Sequence, residues 1–328
     1  MANLRAGLIG LGSMGRHHAR VLRSLEGVDL VAVADQAGDP HGVAGGLTVA
    51  PDVEALIAAG VDYVTVAVPT VYHETVALAL AEAGIHTLVE KPLGHDVASS
   101  ERIAEAFETR GLVGGVGHIE RYNPAIQSLR ARLEAGDLGD VYQIATRRQG
   151  PFPARIADVG VVRDLAPHDL DLAAWVARSR YSSVSARVAH RSGREHEDLV
   201  SITGLFENGI VANHLINWLS PMKERTTVVT GERGTFVADT LTADLTFYAN
   251  GTVATTWDTI TGFRGVVEGD VTRFAIAKAE PLATEHAAFR DAVLGKASNY
   301  VTMREGLETV AVVDAALESA HTGTTINR

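Results

Sequence analysis

The sequence predicts an α/β protein in two parts. A doubly wound parallel sheet comes first, followed by an α/β domain built on a large, mostly antiparallel open sheet. Three observations predict this. A glycine-rich turn follows directly on the first apolar strand. Strands and helices alternate up to about residue 118. Beyond residue 184 strands dominate, punctuated by hairpin-type turn signals.

The first strand, Leu4–Ile9, is short and mostly apolar, as a buried parallel strand should be. It runs into Gly10-Leu-Gly-Ser-Met-Gly15, a G-x-G-x-x-G turn. Gly10 permits the tight turn, Gly12 leaves room for phosphates, and Gly15 lets the next helix pack close. That helix is expected to set Met14, Val21, Leu22 and Leu25 on one face. A second strand, Leu30–Ala34, ends at Asp35, twenty positions after Gly15. A carboxylate there accepts the ribose hydroxyls of an adenosine and repels a 2′-phosphate, so the spacing predicts NAD rather than NADP. Between Asp35 and Pro51 the chain is glycine-rich, and a loop or single turn near Ala37–Gly45 replaces the second crossover helix.

The next elements follow in order. Tyr63–Val68 is a buried strand closed by Pro69-Thr70, and Tyr72–Ala83 is a helix ended by Gly84. Thr87–Glu90 is a strand broken by Lys91-Pro92. Asp96 caps a helix running to Arg110, and Leu112–Val116 is a further strand. Asn123 caps a helix from Pro124 to Ala135. A strand near Val141–Arg148 precedes a loop through Pro151 and Pro153, and Asp164–Ala177 holds a short helix. Asn208-Gly209, Gly231–Gly234 and Asn250-Gly251 read as hairpin turns. Pro281–Leu294 is a helix, and Thr302-Met-Arg-Glu305 is a capping box opening another that reaches His321. These elements divide the chain into a cofactor-binding domain, 1–118, and a substrate-binding and oligomerisation domain, 119–328.

Composition narrows the function. The chain has 328 residues, 46% of them hydrophobic, enough for two cored domains. A net charge of −11 argues against nucleic acid or an anionic membrane surface as partner. Cysteine is absent from the sequence, which removes disulfides, thiolate nucleophiles and thiolate metal ligands. The opening residues run straight into the first strand and no stretch of about 18 apolar residues occurs, so a soluble cytoplasmic protein is expected.

Three groups of residues could carry chemistry. Lys91 follows the strand ending at Glu90, at the carboxyl edge where open α/β sheets bind ligands. It could relay a hydroxyl proton, or be a surface lysine paired with Glu90. Asp164 and His168 are spaced to share a helix face. They could orient and deprotonate a hydroxyl, or be helix-terminal acids with a satisfied histidine. His118-Ile-Glu-Arg121-Tyr122-Asn123 lies at the domain junction. There Arg121 could fork a phosphate or carboxylate, with Arg147, Arg148, Arg155 and Arg163 adding cationic charge nearby. Asn123 as a helix cap and surface ion pairs for the arginines are the plainer alternatives. His17 and His18 point apart on their helix and face solvent or the cofactor's surroundings, not a metal. His190, His196, His214 and His286 carry no assigned role, and no metal site is expected.

Together, Gly10-Leu-Gly-Ser-Met-Gly15, Val68-Pro-Thr-x-Tyr-His73, Glu90-Lys91-Pro92 and Asp164-x-x-x-His168-Asp169 resemble the Gfo/Idh/MocA oxidoreductases. The resemblance runs through nearly the whole chain, to Glu280-Pro-Leu. More narrowly, Gly117–Pro124 and Asp158–Asp171 are similar to the branch that oxidises UDP-N-acetyl-hexosamines or their uronates at C3. Tyr122 stands where that branch more often has Phe, and Arg163 where an aliphatic residue is usual. The resemblance implies an NAD-dependent dehydrogenase with a Rossmann domain. It makes Lys91 and His168 the catalytic pair, with Asp164 orienting substrate or His168. Gly10, Gly12, Ser13, Met14, Gly15 and Asp35 would hold the dinucleotide, with Pro69, Thr70, His73, Glu90 and Lys91 toward the nicotinamide. Lys91, Arg121, Tyr122, Asn123, Arg163, Asp164 and His168 would meet the substrate. The family also implies a Lys91–Pro92 bond that is often cis. The broad antiparallel sheet offers a flat face for pairing, so a homodimer or homotetramer is expected. A polyol, inositol or free-sugar dehydrogenase and a non-catalytic nucleotide-sensing regulator are the rival functions.

Overall fold

A computed structural model describes residues 2–153, 159–251 and 267–328. The chain forms two compact units. One comprises Met1–Ile119 with Glu280–Asp314, and the other Glu120–Ala279 with Ala315–Arg328. The division therefore departs from a single cut at 118/119. The stretch beginning at Glu280 groups with the N-terminal part, and a boundary falls inside the last long helix.

The first unit contains a six-stranded parallel sheet in the order β3-β2-β1-β4-β5-β6. This is the order of dinucleotide-binding doubly wound sheets. The strands are β1 (Leu4–Ile9), β2 (Val28–Ala34), β3 (Val49–Ala50), β4 (Tyr63–Val66), β5 (His86–Glu90) and β6 (Gly114–Gly117). The helices are α1 (Ser13–Ser24), α2 (Val53–Ala58), α3 (His73–Glu82) and α4 (Val97–Thr109). Asp96 caps α4 through the backbone N–H of Ser99, as its position predicts. Helix α3 begins one residue later than expected, after a single 3₁₀ turn at Thr70–Tyr72.

Helix α1 buries Gly15, His18, Ala19, Val21 and Leu22. Met14, expected on that face, is 37% exposed instead, because it precedes the first buried turn. As the glycine-rich composition predicts, turns span the segment between β2 and β3 where a crossover helix would otherwise run. Asp39 holds these turns by accepting from the backbone N–H groups of Val43 and Ala44, both at 2.7 Å. Arg23 of α1 donates to the Val43 carbonyl at 2.6 Å, and Val43 and Ala44 join the core where a helix would have packed.

Two helices late in the chain also contribute to this unit, α8 (Pro281–Val293) and α9 (Met303–Thr322). Phe289 of α8 is fully buried, stacks edge-on against Tyr63 and Tyr300, and lies over Gly115, where a Cβ would come within 2.9 Å of its ring. The predicted capping box opens α9: Glu305 accepts from the Thr302 backbone N–H and hydroxyl, at 2.9 and 2.8 Å.

In the second unit a nine-stranded sheet runs β14-β13-β12-β11-β7-β10-β9-β8-β15. Its strands are β7 (Val141–Pro151), β8 (Tyr181–Ala189), β9 (Leu199–Phe206), β10 (Val211–Asn217), β11 (Leu219–Gly231), β12 (Gly234–Asp239), β13 (Asp244–Gly251), β14 (Val267–Arg273) and β15 (Ile326–Asn327). Every pairing is antiparallel except β7 with β10. Turns form at Asn208-Gly209 and at Gly231–Gly234, as predicted. Asn250-Gly251 is a correction: both residues belong to β13, and Gly251 pairs with Val267. A turn the sequence pattern did not flag joins β12 to β13, where Asp239 accepts from the backbone of Leu241 at 2.8 Å. Helices α5 (Pro124–Glu134), α6 (Val161–Asp164) and α7 (Ala166–Ala177) complete the unit, α5 packing on β12 and β13 and α7 on β7 and β10. The single helix expected over 164–177 is thus two, broken at Leu165 ahead of Pro167.

Within this core His214 is 1% exposed, set between the Thr146 hydroxyl at 2.8 Å and the Tyr181 hydroxyl at 2.9 Å. Burial pushes its pKa down to about 3. An unfolded chain protonates histidine near pH 6.5, so between these values the unfolded state binds the extra proton and stability falls as pH falls. The expected slope from this group is about 1.4 kcal/mol per pH unit. Urea unfolding at stepped pH should give that slope in the unmodified chain and a smaller one in His214→Gln. In the first unit, Phe289→Ala should cost about 3–5 kcal/mol by the same measurement.

Candidate active site

Because the first sheet is parallel, the chain leaves β1, β2, β4 and β5 at one edge, at Gly10, Asp35, Ala67 and Lys91. Gly10 has φ +94°, and a Cβ on it would lie 2.5 Å from the Ala67 carbonyl group. A Cβ on Gly15 would lie 2.0 Å from the Gly10 oxygen. Gly12 differs: nothing lies within 4 Å of where its Cβ would be. Gly12 is also the N-cap of α1, which has no side-chain cap and no acid in its first turn. The N–H groups and positive dipole end of this helix thus open onto free space, a cradle that fits a diphosphate. Ser13 and Met14 border it, both exposed. Asp35 ties the turn to β2, accepting from Leu11 N–H at 2.7 Å and Ala37 N–H at 2.8 Å.

Pro69 and Thr70 lie at the same edge, after β4. His73 does not offer itself to a ligand. It is 1% exposed, and its nitrogens face the carbonyl oxygens of Pro92 at 2.9 Å and Val68 at 3.0 Å. It fastens the loop after β4 to the loop after β5. Burial pushes its pKa below the ordinary histidine value.

Glu90 closes β5, and the Lys91–Pro92 bond is cis. Glu90 turns inward, with one carboxylate oxygen 2.9 Å from His18 Nε2 and the other accepting from the Lys91 backbone N–H at 3.1 Å. Burial alone would raise its pKa. The hydrogen bond and charge of His18, with Lys91, more than offset this and hold it below the ordinary carboxylate range. His18, expected at the cofactor's surroundings or in solvent, is instead fully buried. Its signal was the spacing Gly15, His18, Ala19, Leu22.

In the second unit Glu197 sets the start of α6. Its carbonyl accepts from Val161 N–H and its carboxylate from Val162 N–H, each at 3.0 Å. The carboxylate lies where a Cβ on Gly160 would sit. Arg163 and Asp164 end this turn and His168 stands in the first turn of α7; all three are half-buried.

Arg121 is held internally. Its fork is closed on Asp171, Nε to Oδ2 at 2.8 Å and Nη2 to Oδ1 at 2.6 Å, with both residues buried. Asn123 caps α5 through Ala125 N–H and donates to the Thr240 carbonyl, each at 3.0 Å, so its amide is structural. Tyr122 is 4% exposed and belongs to the core. Packing or internal pairing thus engages each of these three. Arg148 is likewise buried, donating to Asp169 at 2.8 Å and Glu120 at 2.9 Å. Burial opposes its charge, and the two carboxylates more than offset that and raise its pKa. Arg147 remains exposed on β7. Arg155 and Asp158 lie outside the described residues. Among the described residues no group of three metal-ligating side chains is found, and no helix is long and apolar enough to cross a membrane.

Comparisons with known proteins agree with this geometry. Residues 4–118 match the oxidoreductase family model with an NAD-binding Rossmann fold, and residues 126–237 match the GFO/IDH/MocA C-terminal domain. The chain belongs to the Gfo/Idh/MocA oxidoreductase family, and its first unit carries the NAD-binding Rossmann domain. UDP-N-acetylglucosamine 3-dehydrogenase of Acidithiobacillus ferrooxidans is 35% identical over 216 residues, 65% of this chain and 66% of that protein. A solved structure of the same enzyme is similar over 98% of this chain and 99% of its own, with TM-score 0.86 and 28% identity. The scyllo-inositol 2-dehydrogenase (NAD(+)) of Bacillus subtilis is 32% identical over 192 residues, 56% of each chain. By sequence, the chain thus spans about half to two thirds of the length of these curated relatives.

The cradle makes a distinction that can be measured. Gly12→Ala should fold with a loss of about 1 kcal/mol at most. It should weaken NAD binding at least tenfold, about 1.4 kcal/mol. Gly15→Ala should lose both stability and binding. Calorimetric titration with NAD⁺ beside urea unfolding checks both variants.

Proposed function

We propose that the protein is an NAD-dependent dehydrogenase acting on a secondary alcohol of a sugar or sugar nucleotide, with C3 of a UDP-N-acetyl-hexosamine as the first substrate to test. The observation that carries this reading is the shared edge of the parallel sheet, where the glycine cradle follows β1 and Lys91 follows β5. NAD⁺ supplies the hydride acceptor when bound. Lys91 takes the hydroxyl proton as the carbinol C–H bond breaks, so the alcohol becomes a ketone. His168 is its catalytic partner and Asp164 orients the substrate or the imidazole. Arg163 belongs to the expected substrate set, and Arg121 of that set is paired with Asp171.

The similarity to UDP-N-acetylglucosamine 3-dehydrogenase favours the nucleotide sugar. The inositol dehydrogenases among the relatives, and the closure of Arg121 on Asp171, favour a substrate without a diphosphate, which is the second reading.

The assembly is proposed to be a homodimer or homotetramer formed through the nine-stranded sheet. Directly paired residues share a face, and Leu205, Val211, Gln143, Thr230, Thr235, Tyr248 and Val271 form one row across it. Leu205, Val211, Tyr248 and Val271 are between 39% and 59% exposed, an apolar content suited to pairing with a second copy.

NADH formation at 340 nm with a panel of UDP-sugars, inositols and free sugars should single out one class. Lys91→Ala should keep NAD⁺ binding and lose about 10²–10⁴-fold in kcat, as removal of a general base does. Undiminished turnover in that variant would refute the assignment.

A further inference from the structure

We propose that His18 is a positioning residue for Lys91, holding the Glu90 carboxylate through a buried chain that runs His286–His18–Glu90–Lys91. The inference rests on the assignment of Lys91 above. His18 Nε2 lies 2.9 Å from Glu90 Oε1, and its Nδ1 lies 2.8 Å from His286 Nε2. Glu90 Oε2 accepts from the Lys91 backbone N–H at 3.1 Å. His18 and His286 are each 0% exposed, and their rings meet edge-on at 5.1 Å. A Cβ on Gly117 would come within 3.3 Å of the Glu90 carboxylate, so β6 ends on a residue that leaves this side chain room.

Proton counting constrains the chain. A buried ionised carboxylate needs donors, so His18 Nε2 must carry its proton toward Glu90. The two facing nitrogens, His18 Nδ1 and His286 Nε2, then share a single proton, because two N–H groups or two lone pairs cannot bond. His286 Nδ1 is buried with no hydrogen-bond partner among the described residues. Among the described residues the chain therefore ends there, and its other end is Glu90 and the Lys91 backbone. A side chain that only filled space on α1 would need neither nitrogen, and an apolar residue would serve.

The test uses the NAD⁺-loaded protein with histidines labelled with ¹⁵N. Comparison with His18→Gln assigns the His18 signals, and the expected result is a protonated Nε2. An unprotonated His18 Nε2 overturns the proposal, because Glu90 would then carry the proton itself. In kinetics, His18→Leu should lower kcat by up to about 10²-fold, the scale of a small misplacement at the reacting centre, with KM and the NAD⁺ affinity little changed. His18→Gln keeps a donor at the Nε2 position and should recover most of the loss. A folded His18→Leu with unmodified kcat, or a His18→Gln no better than His18→Leu, also overturns it. If His18→Leu does not fold, the labelled protein and His18→Gln decide. Lys91→Ala assayed alongside separates the two ideas: if Lys91→Ala keeps full turnover, the assignment of Lys91 fails whatever the histidine signals report.

Discussion

The first unit depends on one constraint: its strands all run the same way, so each leaves the sheet at the same edge. Six parallel strands cannot be joined by hairpins, and every return must cross a face of the sheet. The loops that follow β1, β2, β4 and β5 are thereby gathered without any specific attraction between them. What specific interactions do is fix the spacing. The contact of Gly10 with Ala67 sets how near the first turn comes to the loop after β4. Asp35 pins that turn to β2, and His73 pins the loop after β4 to the loop after β5. The edge is therefore held by short polar ties between loops, and the room left at Gly12 is what they protect.

Buried charge organises the second unit in a comparable way. An arginine taken from water must meet carboxylates in good geometry or it destabilises the fold. Arg121 meets Asp171 in a two-point fork, and Arg148 spans Asp169 and Glu120. The acidic run after Pro167 is thus divided by the helix. Asp169 and Asp171 turn inward and are consumed by these arginines, while His168 stays half-buried on the adjacent position. One short segment anchors α7 against β7 and the turn at 119–122, and presents an imidazole from the same backbone.

The sheet of the first unit was legible because parallel strands buried on both faces read as short apolar runs between glycine and proline punctuation. The missing crossover helix was legible for the same reason, since Gly-rich sequence with Asp39 holds turns and not a helix. The hairpin after β12 was not, because its signal is a single Asp followed by Thr-Leu-Thr, which no turn dipeptide marks. The division at Glu280 was not, because helix α8 looks like any amphipathic helix and only packing says which sheet Phe289 covers. The candidate site followed the same rule. Residues whose role depends on backbone geometry, such as Gly10, Gly15 and Asn123, could be placed from local sequence. Residues whose role depends on distant partners could not. Arg121 looked available because Asp171 lies 50 positions away, and His286 carried no signal because its partner His18 lies 268 positions earlier.

Helix α1 joins these themes. Its first turn faces the cradle at Gly12 without a side-chain cap, and one turn later its inner face places His18 on Glu90. Glu90 can remain an ionised carboxylate inside the protein only where His18, the Lys91 N–H and the space left by Gly117 coincide. Removing a single partner leaves a buried charge short of donors, which costs several kcal/mol in comparable cases. The element that would hold the diphosphate thus also fixes the strand end that carries the lysine. One helix therefore carries both the turn that borders the cradle and the imidazole that holds Glu90.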